Sequence, residues 1–170
     1  MRVHQIRRML FLGFLVQEGV IFLRATREER QQAPIPPYPA LLGLCLFAPL
    51  VVTLRLPRWL ERLALGLQVL GWSLEVAAMY QLSRRRSFGI HPTAATTPLQ
   101  DGLYRFEHPI YLGILISLLG WTLPVPPSLT AVILTYSAFR RAVQQERAHL
   151  ASLKIRHRGL ESRLWPEREA

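Results

Sequence analysis

The chain contains very little cysteine and lysine: Cys45 and Lys154 are the single examples of each in 170 residues. A lone cysteine excludes an internal disulfide. Internal repeats and low-complexity tracts are also missing, and acidic residues are few, with 11 Asp and Glu against 21 Lys and Arg. What the chain has in abundance is apolar residues, which make up 50% of it despite a formal net charge of +10.

The apolar residues come in long blocks, which is typical of a polytopic membrane protein rather than a soluble domain. Basic residues lie mainly between and after these blocks, where topogenic and lipid-facing charges are found. This placement predicts membrane lipids as partners and excludes nucleic acid. Five apolar blocks are present: Met9–Leu23, Ala40–Leu54, Leu63–Leu82, Ile110–Leu123 and Ser128–Phe139.

The sequence therefore predicts an all-α integral membrane protein, with residues 1–170 forming one membrane domain. An N-terminal helix and a proline-rich linker (1–39) precede two spans (40–82), the first of them kinked at Pro49. A cytoplasmic loop (83–109), a helical hairpin (110–139) and a cytoplasmic amphipathic tail helix (140–170) follow. Four to five transmembrane helices are expected in total.

The first block resembles a signal peptide, but no small-residue cleavage site follows, so we expect it to be retained. It is short and carries Gln17 and Glu18, which leaves two alternatives, a tilted span or a helix lying in the membrane interface. Five spans place the N-terminus outside, which fits poorly with Arg2, Arg7 and Arg8. Four spans with an interfacial first helix place both ends inside.

The hairpin turn at 124–127 carries no charge, so it is expected to point away from the cytoplasm and to leave His108 and Arg140 on the cytoplasmic side. Arginine-rich, lysine-poor composition is compatible with a bacterial inner membrane. Glu75 lies near the middle of the third block, where an ionisable side chain is costly. It is either a structural hydrogen-bond partner or a residue that lines a site.

The stretch with the most specific pattern is Leu99–Gly113, which reads L-Q-D-G-L-Y-R-F-E-H-P-I-Y-L-G. Pro109 disfavours helix at His108 and suits the first position of a new helix. The chain is therefore expected to run extended through His108 and to become helical at about Pro109. The side-chain-free surface of Gly113 allows a ligand or another helix to come close.

This stretch resembles the R-H-P-x-Y-x-G signature of the isoprenylcysteine carboxyl methyltransferase and phospholipid methyltransferase superfamily. Residues 107–113 (E-H-P-I-Y-L-G) match it except that Glu107 replaces the arginine, and residues 101–105 resemble the G-x-Y-R lead-in. The family's acidic E-E-x-x-L motif is matched by 146–150, with Glu146 at the first glutamate and Arg147 at the second. Because both departures exchange a charge, we hypothesise that Glu107 and Arg147 preserve a pair with its signs reversed.

The resemblance, which covers roughly residues 63–153, implies an enzyme that transfers a methyl group from S-adenosylmethionine to a lipidic or prenylated small-molecule acceptor. It places His108, Pro109, Tyr111, Gly113 and Glu146 around the cofactor. Arg105 or the cluster 84–86 would receive an acidic acceptor, and Glu75 a cationic one. A carboxylate acceptor is favoured over an amine because it needs no general base.

Two other functional classes stay open on sequence. The missing arginine and second glutamate favour a catalytically inactive membrane protein on the same scaffold, binding a lipid or a protein partner. A transporter is less favoured, since only Glu18 and Glu75 offer charge within apolar blocks and no pair of broken helices is seen. No metal site is expected.

Overall fold

The structure is a computed structural model that describes residues 3–24, 56–84, 101–106, 108–125 and 128–152. Within these ranges the chain forms four α-helices and a short 3-10 helix and contains no β-strand. The helices are α1 (Val3–Arg24), α2 (Arg58–Arg84), α3 (Pro109–Thr122) and α4 (Leu129–Ser152), with the 3-10 helix at Gly102–Arg105. The expected all-helical fold is confirmed for this part of the chain.

Among the described helices, α2 is long and apolar enough to cross a membrane by length and composition: it has 27 residues, and an 18-residue stretch of it has a mean hydropathy of 1.3. It begins at Arg58, although the sequence predicted a basic loop as far as Arg62. The apolar α3 is shorter, at 14 residues. The expected span at 40–54 and its kink lie outside the described residues.

Helix α3 begins where the sequence predicted. His108 is non-helical, with φ −145° and ψ 71°, and Pro109 occupies the first turn, where its missing N–H costs nothing. After Thr122 the chain turns, and Val125 N donates to Thr122 O at 2.8 Å; α4 begins at Leu129. Helices α3 and α4 therefore form the expected C-terminal hairpin.

Helix α4 continues through Arg140 to Ser152 without a break. The sequence placed a boundary there, between a hairpin ending at residue 139 and a separate tail helix. The change at Arg140 is one of composition only, because the charged residues that follow are good helix formers and no Gly or Pro interrupts them. The second half of the hairpin therefore extends towards the start of α3.

Helices α2 and α3 run antiparallel and touch through their backbones. A Cβ atom on Gly71 would lie 2.5 Å from Gly113 O, and one on Gly120 would lie 2.5 Å from Ala64 O. Gly71 thus pairs with Gly113, while Ala64, seven residues earlier on α2, pairs with Gly120, seven residues later on α3. Such small-residue contacts allow the close helix approach that is common in membrane bundles.

Helix α1 packs parallel to α2. Gly13 contacts the Trp72 ring and Gln17 donates from Nε2 to Glu75 Oε1 at 2.5 Å. On α3, Phe11 stacks on Trp121 with ring centroids 4.1 Å apart. The start of α1 therefore lies at the hairpin-turn end of the bundle, away from the beginning of α3.

Arg7 joins three helices at that end. Its guanidinium donates to the carbonyls of Gly120 and Trp121, both at 2.9 Å, and to Gln68 Oε1 at 3.1 Å. These carbonyls belong to the last turn of α3, which has no intrahelical partners for them and carries the negative end of the helix dipole. Arg7, which is only 7% exposed, is thus a buried cap of α3.

We expect Arg7→Leu to lower the free energy of unfolding by about 3 kcal/mol, because it leaves two buried carbonyls and the Gln68 amide without their donor. Thermal unfolding in detergent measures the change. Arg7→Lys is the matched comparison: it keeps the charge but has no planar fork to reach all three acceptors, so an intermediate loss is expected. Unchanged stability of both variants would contradict the capping role.

Candidate functional site

The candidate site lies where the beginning of α3 meets the second half of α4. His108 precedes α3 and makes no side-chain capping bond to it, and its imidazole faces Glu146 of α4. There His108 Nδ1 lies 3.7 Å from Glu146 Oε2, with 10% and 20% of the two side chains exposed. Residues 38 positions apart in the sequence are thereby brought into one half-buried contact.

Aromatic rings line the same contact. The His108 ring stacks on Tyr111, with centroids 5.2 Å apart and planes 14° from parallel. Tyr111 in turn stacks on Phe139 of α4, at 4.3 Å and 11°. Since Phe139 and Glu146 are seven residues apart, they share one face of α4. The carboxylate of Glu146 therefore lies beside a three-ring stack.

Tyr104 is a further aromatic neighbour of Glu146. Its hydroxyl donates to Ala78 O at 3.3 Å. Burial, and secondarily the Glu146 carboxylate, raise the pKa of the Tyr104 phenol well above its usual range. Because each of these causes favours the neutral form, Tyr104 stays protonated and remains a hydrogen-bond donor at physiological pH.

The 3-10 helix that carries Tyr104 is fixed to the end of α2 by Gln81. The Gln81 amide donates to Asp101 O at 2.8 Å and accepts from Leu103 N at 3.1 Å. Gly102 has a φ of +58° and packs directly on this amide, where a Cβ would clash. The two hydrogen bonds from the Gln81 side chain to the backbone, together with Gly102, thus set the position of Tyr104.

Two other residues assigned to the cofactor by resemblance have structural contacts. Pro109 is fully buried at the first turn of α3. Gly113 faces α2, where an added Cβ would lie 2.7 Å from Gly71 O and 2.8 Å from Glu75 N. The sequence left open whether a ligand or another helix comes close to Gly113. The structure shows that a helix, α2, does so.

Glu75 lies in a different contact. It is completely buried, and its Oε1 accepts from Gln17 of α1, whose own Oε1 accepts from Trp72 Nε1 at 2.9 Å. Glu18 is the next residue of α1 and also lies near Glu75. The polar residues of the first apolar block thus face Glu75 inside the bundle, while His108 and Glu146 meet on the other side of α3.

The arginines proposed to receive an acidic acceptor are on the surface. Arg105 ends the 3-10 helix and is exposed. Arg84, also exposed, lies over the Tyr80 ring at 5.8 Å from its centroid. Glu107 lies outside the described residues, so its hypothesised pairing with Arg147 stays a prediction.

Sequence reasoning missed Tyr104 and Phe139 as site residues. The heptad spacing between Phe139 and Glu146 is a signal that could have found Phe139. Tyr104 was noted only as part of the lead-in motif, and nothing local to it indicates that the Glu146 carboxylate acts on its pKa. The described residues contain no cluster of three side chains suited to hold a metal ion.

The assembled groups suit a cationic ligand with hydroxyl or ammonium groups. Aromatic faces attract cations, and a half-buried carboxylate accepts strong hydrogen bonds from charged or hydroxyl donors. In comparisons with known proteins, no family model, curated protein or solved structure matches the chain. The fold and site thus describe a helical protein with a cluster of aromatic and acidic side chains at one end of its bundle.

Proposed function

We propose that the protein is an integral-membrane, S-adenosylmethionine-dependent methyltransferase that acts on a lipidic or prenylated acceptor. The observation that carries the proposal is the contact of His108 with Glu146 beside the Tyr111–Phe139 stack. Three of these four residues belong to the two motifs that resemble the methyltransferase superfamily. The contact between these residues brings the two motifs together in space, as a single cofactor site requires.

The residues present fit the cofactor chemically. S-adenosylmethionine carries a sulfonium, a ribose diol and an amino-acid end, and when bound it supplies an electrophilic methyl group. The rings of His108, Tyr111 and Phe139 offer faces to the sulfonium or to the adenine. The Glu146 carboxylate is suited to accept from the ribose hydroxyls or from the ammonium group.

Methyl transfer from a sulfonium depends mainly on holding the two reactants in line, because the leaving thioether is already good. The tight turns around the site serve that purpose, since Gln81 fixes Tyr104 and Pro109 fixes the start of α3. An acidic acceptor is favoured. Glu75, the sequence's candidate for a cationic acceptor, is already engaged with Gln17 of α1.

Membrane integration is supported by α2 and by the outer face of α1. Exposed apolar side chains follow α1 at every turn, which is the pattern expected of a lipid-facing surface. These residues are Met9, Leu12, Val16, Val20 and Leu23. We place the site on the cytoplasmic side of a bacterial inner membrane, where a water-soluble cofactor reaches the headgroup region.

Calorimetric titration of S-adenosylmethionine into the detergent-purified protein tests the proposal. We expect binding in the micromolar range, and His108→Ala and Glu146→Ala should each abolish it while the protein stays folded. Gln145→Ala is the matched control, because Gln145 is exposed beside Glu146. If the well-folded wild-type protein binds no S-adenosylmethionine, the proposal that it is a methyltransferase is refuted.

That negative outcome would favour the second candidate, a catalytically inactive protein on the same scaffold that binds a lipid or a protein partner. The feature in its favour is the exchange of charge at Glu107 and Arg147, where the superfamily's signature has an arginine and a glutamate. Under this proposal the aromatic stack would be kept for the packing of α3 against α4. The transfer chemistry would be lost.

A further inference from the structure

Helix α4 carries two buried polar groups that have no hydrogen-bond partner. They are Arg140 Nε and Gln144 Nε2, which are both donors. Each is followed directly by an exposed residue of the same type, Arg141 after Arg140 and Gln145 after Gln144. The chain thus offers two pairs of identical neighbours, in which the first residue is half-buried with a buried donor atom and the second is exposed.

The two buried donors lie next to the candidate site. Arg140 and Gln144 are four residues apart, so they lie one above the other on one face of α4. Along the helix they fall between Phe139, which stacks on Tyr111, and Glu146, which contacts His108. This face adjoins the one that meets α3.

Burial of unsatisfied donors is unfavourable, most of all for a charged guanidinium. Among the described residues no acceptor is bonded to Arg140 Nε or to Gln144 Nε2. The pair is therefore a donor set with one positive charge and no acceptor of its own. An anionic oxygen group is the ligand that satisfies both donors at once.

We infer that Arg140 and Gln144 bind the carboxylate of a ligand held in the His108–Glu146 site. The inference rests on the proposed function, because it assumes that a ligand binds at the His108–Glu146 contact, close to these two donors. Two ligands supply such a carboxylate, the amino-acid end of the cofactor and the head of an acidic lipid acceptor. Arg140 suits this role better than the exposed Arg84 and Arg105, since a charged hydrogen bond is stronger where water is excluded.

Three probes separate the sources. S-adenosylhomocysteine carries the amino-acid carboxylate, methylthioadenosine lacks it, and oleate is a lipidic carboxylate without a nucleoside. Each is titrated calorimetrically into detergent-purified wild-type protein, into Arg140→Ala and Gln144→Ala, and into the matched controls Arg141→Ala and Gln145→Ala. Arg140→Lys is included because it keeps the charge without the Nε donor.

Loss of a charge-assisted hydrogen bond is expected to weaken binding by about tenfold or more. If the cofactor supplies the carboxylate, Arg140→Ala and Gln144→Ala weaken S-adenosylhomocysteine and leave methylthioadenosine unchanged. If the acceptor supplies it, the same variants weaken oleate and leave both nucleosides unchanged. The controls at Arg141 and Gln145 should bind all three probes as the wild type does.

A structural role for Arg140 would show in the ligand-free protein. Removal of an unsatisfied buried charge should leave the unfolding temperature of Arg140→Ala unchanged or raise it, whereas loss of a structural contact would lower it. Unchanged affinity for every probe in both buried-site variants would overturn the inference while the cofactor site stands. Wild-type protein that binds oleate but neither nucleoside would refute the proposed enzyme and leave the carboxylate site to be judged by the oleate titrations.

Discussion

Gly71→Ala should destabilise the protein by about 3 kcal/mol or more, although it adds a single methyl group. The new Cβ would lie 2.5 Å from Gly113 O and still closer to the backbone of Ser117. Backbone atoms of a packed helix cannot rotate away as the end of a side chain can. The methyl group therefore forces α2 and α3 apart along the whole of their contact.

Gly66→Ala is the matched control, on the same helix. Gly66 is exposed, and no heavy atom of the described part of the chain lies within 4 Å of its added Cβ, so alanine should be neutral or stabilise α2 by up to about 1 kcal/mol through helix propensity. Thermal or denaturant unfolding in detergent measures both variants. Equal effects of the two substitutions would mean that the α2–α3 approach is looser than the structure shows.

The contrast between these two glycines shows what the sequence leaves open. Gly66 and Gly71 both suit close helix packing by residue type, yet among the described helices only Gly71 meets a partner. The difference depends on which face of α2 receives α3, and that is decided by contacts far along the chain. Gly113 is similar, since its bare surface was predicted but the choice between ligand and helix was not.

Local chemistry, by contrast, was enough where one residue restricts the backbone. Pro109 predicted the start of α3, and the structure begins the helix there. At Arg140 a change in composition suggested a boundary, but charged residues continue a helix as well as apolar ones do. Sequence patterns therefore predicted the elements better than their ends.

The candidate site divides in the same way. His108, Tyr111 and Glu146 were named from motifs, and the structure brings these three together. The position of Tyr104 depends on Gln81, which fixes the 3-10 helix to α2, a relation between distant segments that no periodicity reveals. For Glu75 the sequence left two alternatives open, a structural hydrogen-bond partner or a residue that lines a site, and the structure shows it bonded to Gln17.

If the bundle crosses the membrane as proposed, residues at the start of α1 and residues near the site should be accessible from opposite sides. Helix α1 packs parallel to α2, with Arg7 beside Gln68 and Gln17 beside Glu75. Its beginning therefore lies at the hairpin-turn end. A cytoplasmic site then places the N-terminus outside, as in the five-span alternative.

In the sequence analysis, the positive charge of Arg7 was an argument against an external N-terminus, because basic residues are enriched on the cytoplasmic side. In the structure Arg7 is buried, and its guanidinium is satisfied by the last carbonyls of α3. Its charge thus has a structural use at this end of the bundle, which weakens the objection to an external N-terminus.

Single cysteines test the arrangement on a Cys45→Ala background. A membrane-impermeant maleimide is applied to intact spheroplasts and to inside-out vesicles. Gln5→Cys and Arg58→Cys, which lie at the hairpin-turn end, should react only in spheroplasts, and Arg84→Cys and Arg141→Cys only in inverted vesicles. All four native residues are exposed, so differences in labelling report the side of the membrane.

Two other patterns of labelling have distinct meanings. Labelling of Gln5→Cys together with Arg84→Cys would show the four-span alternative, with α1 in the interface and its observed packing against α2 wrong. Labelling of all four cysteines in both preparations would refute the membrane-spanning bundle itself. Because the parallel packing of α1 and α2 allows only one relative orientation of their ends, the labelling at residues 5 and 84 decides between these topologies.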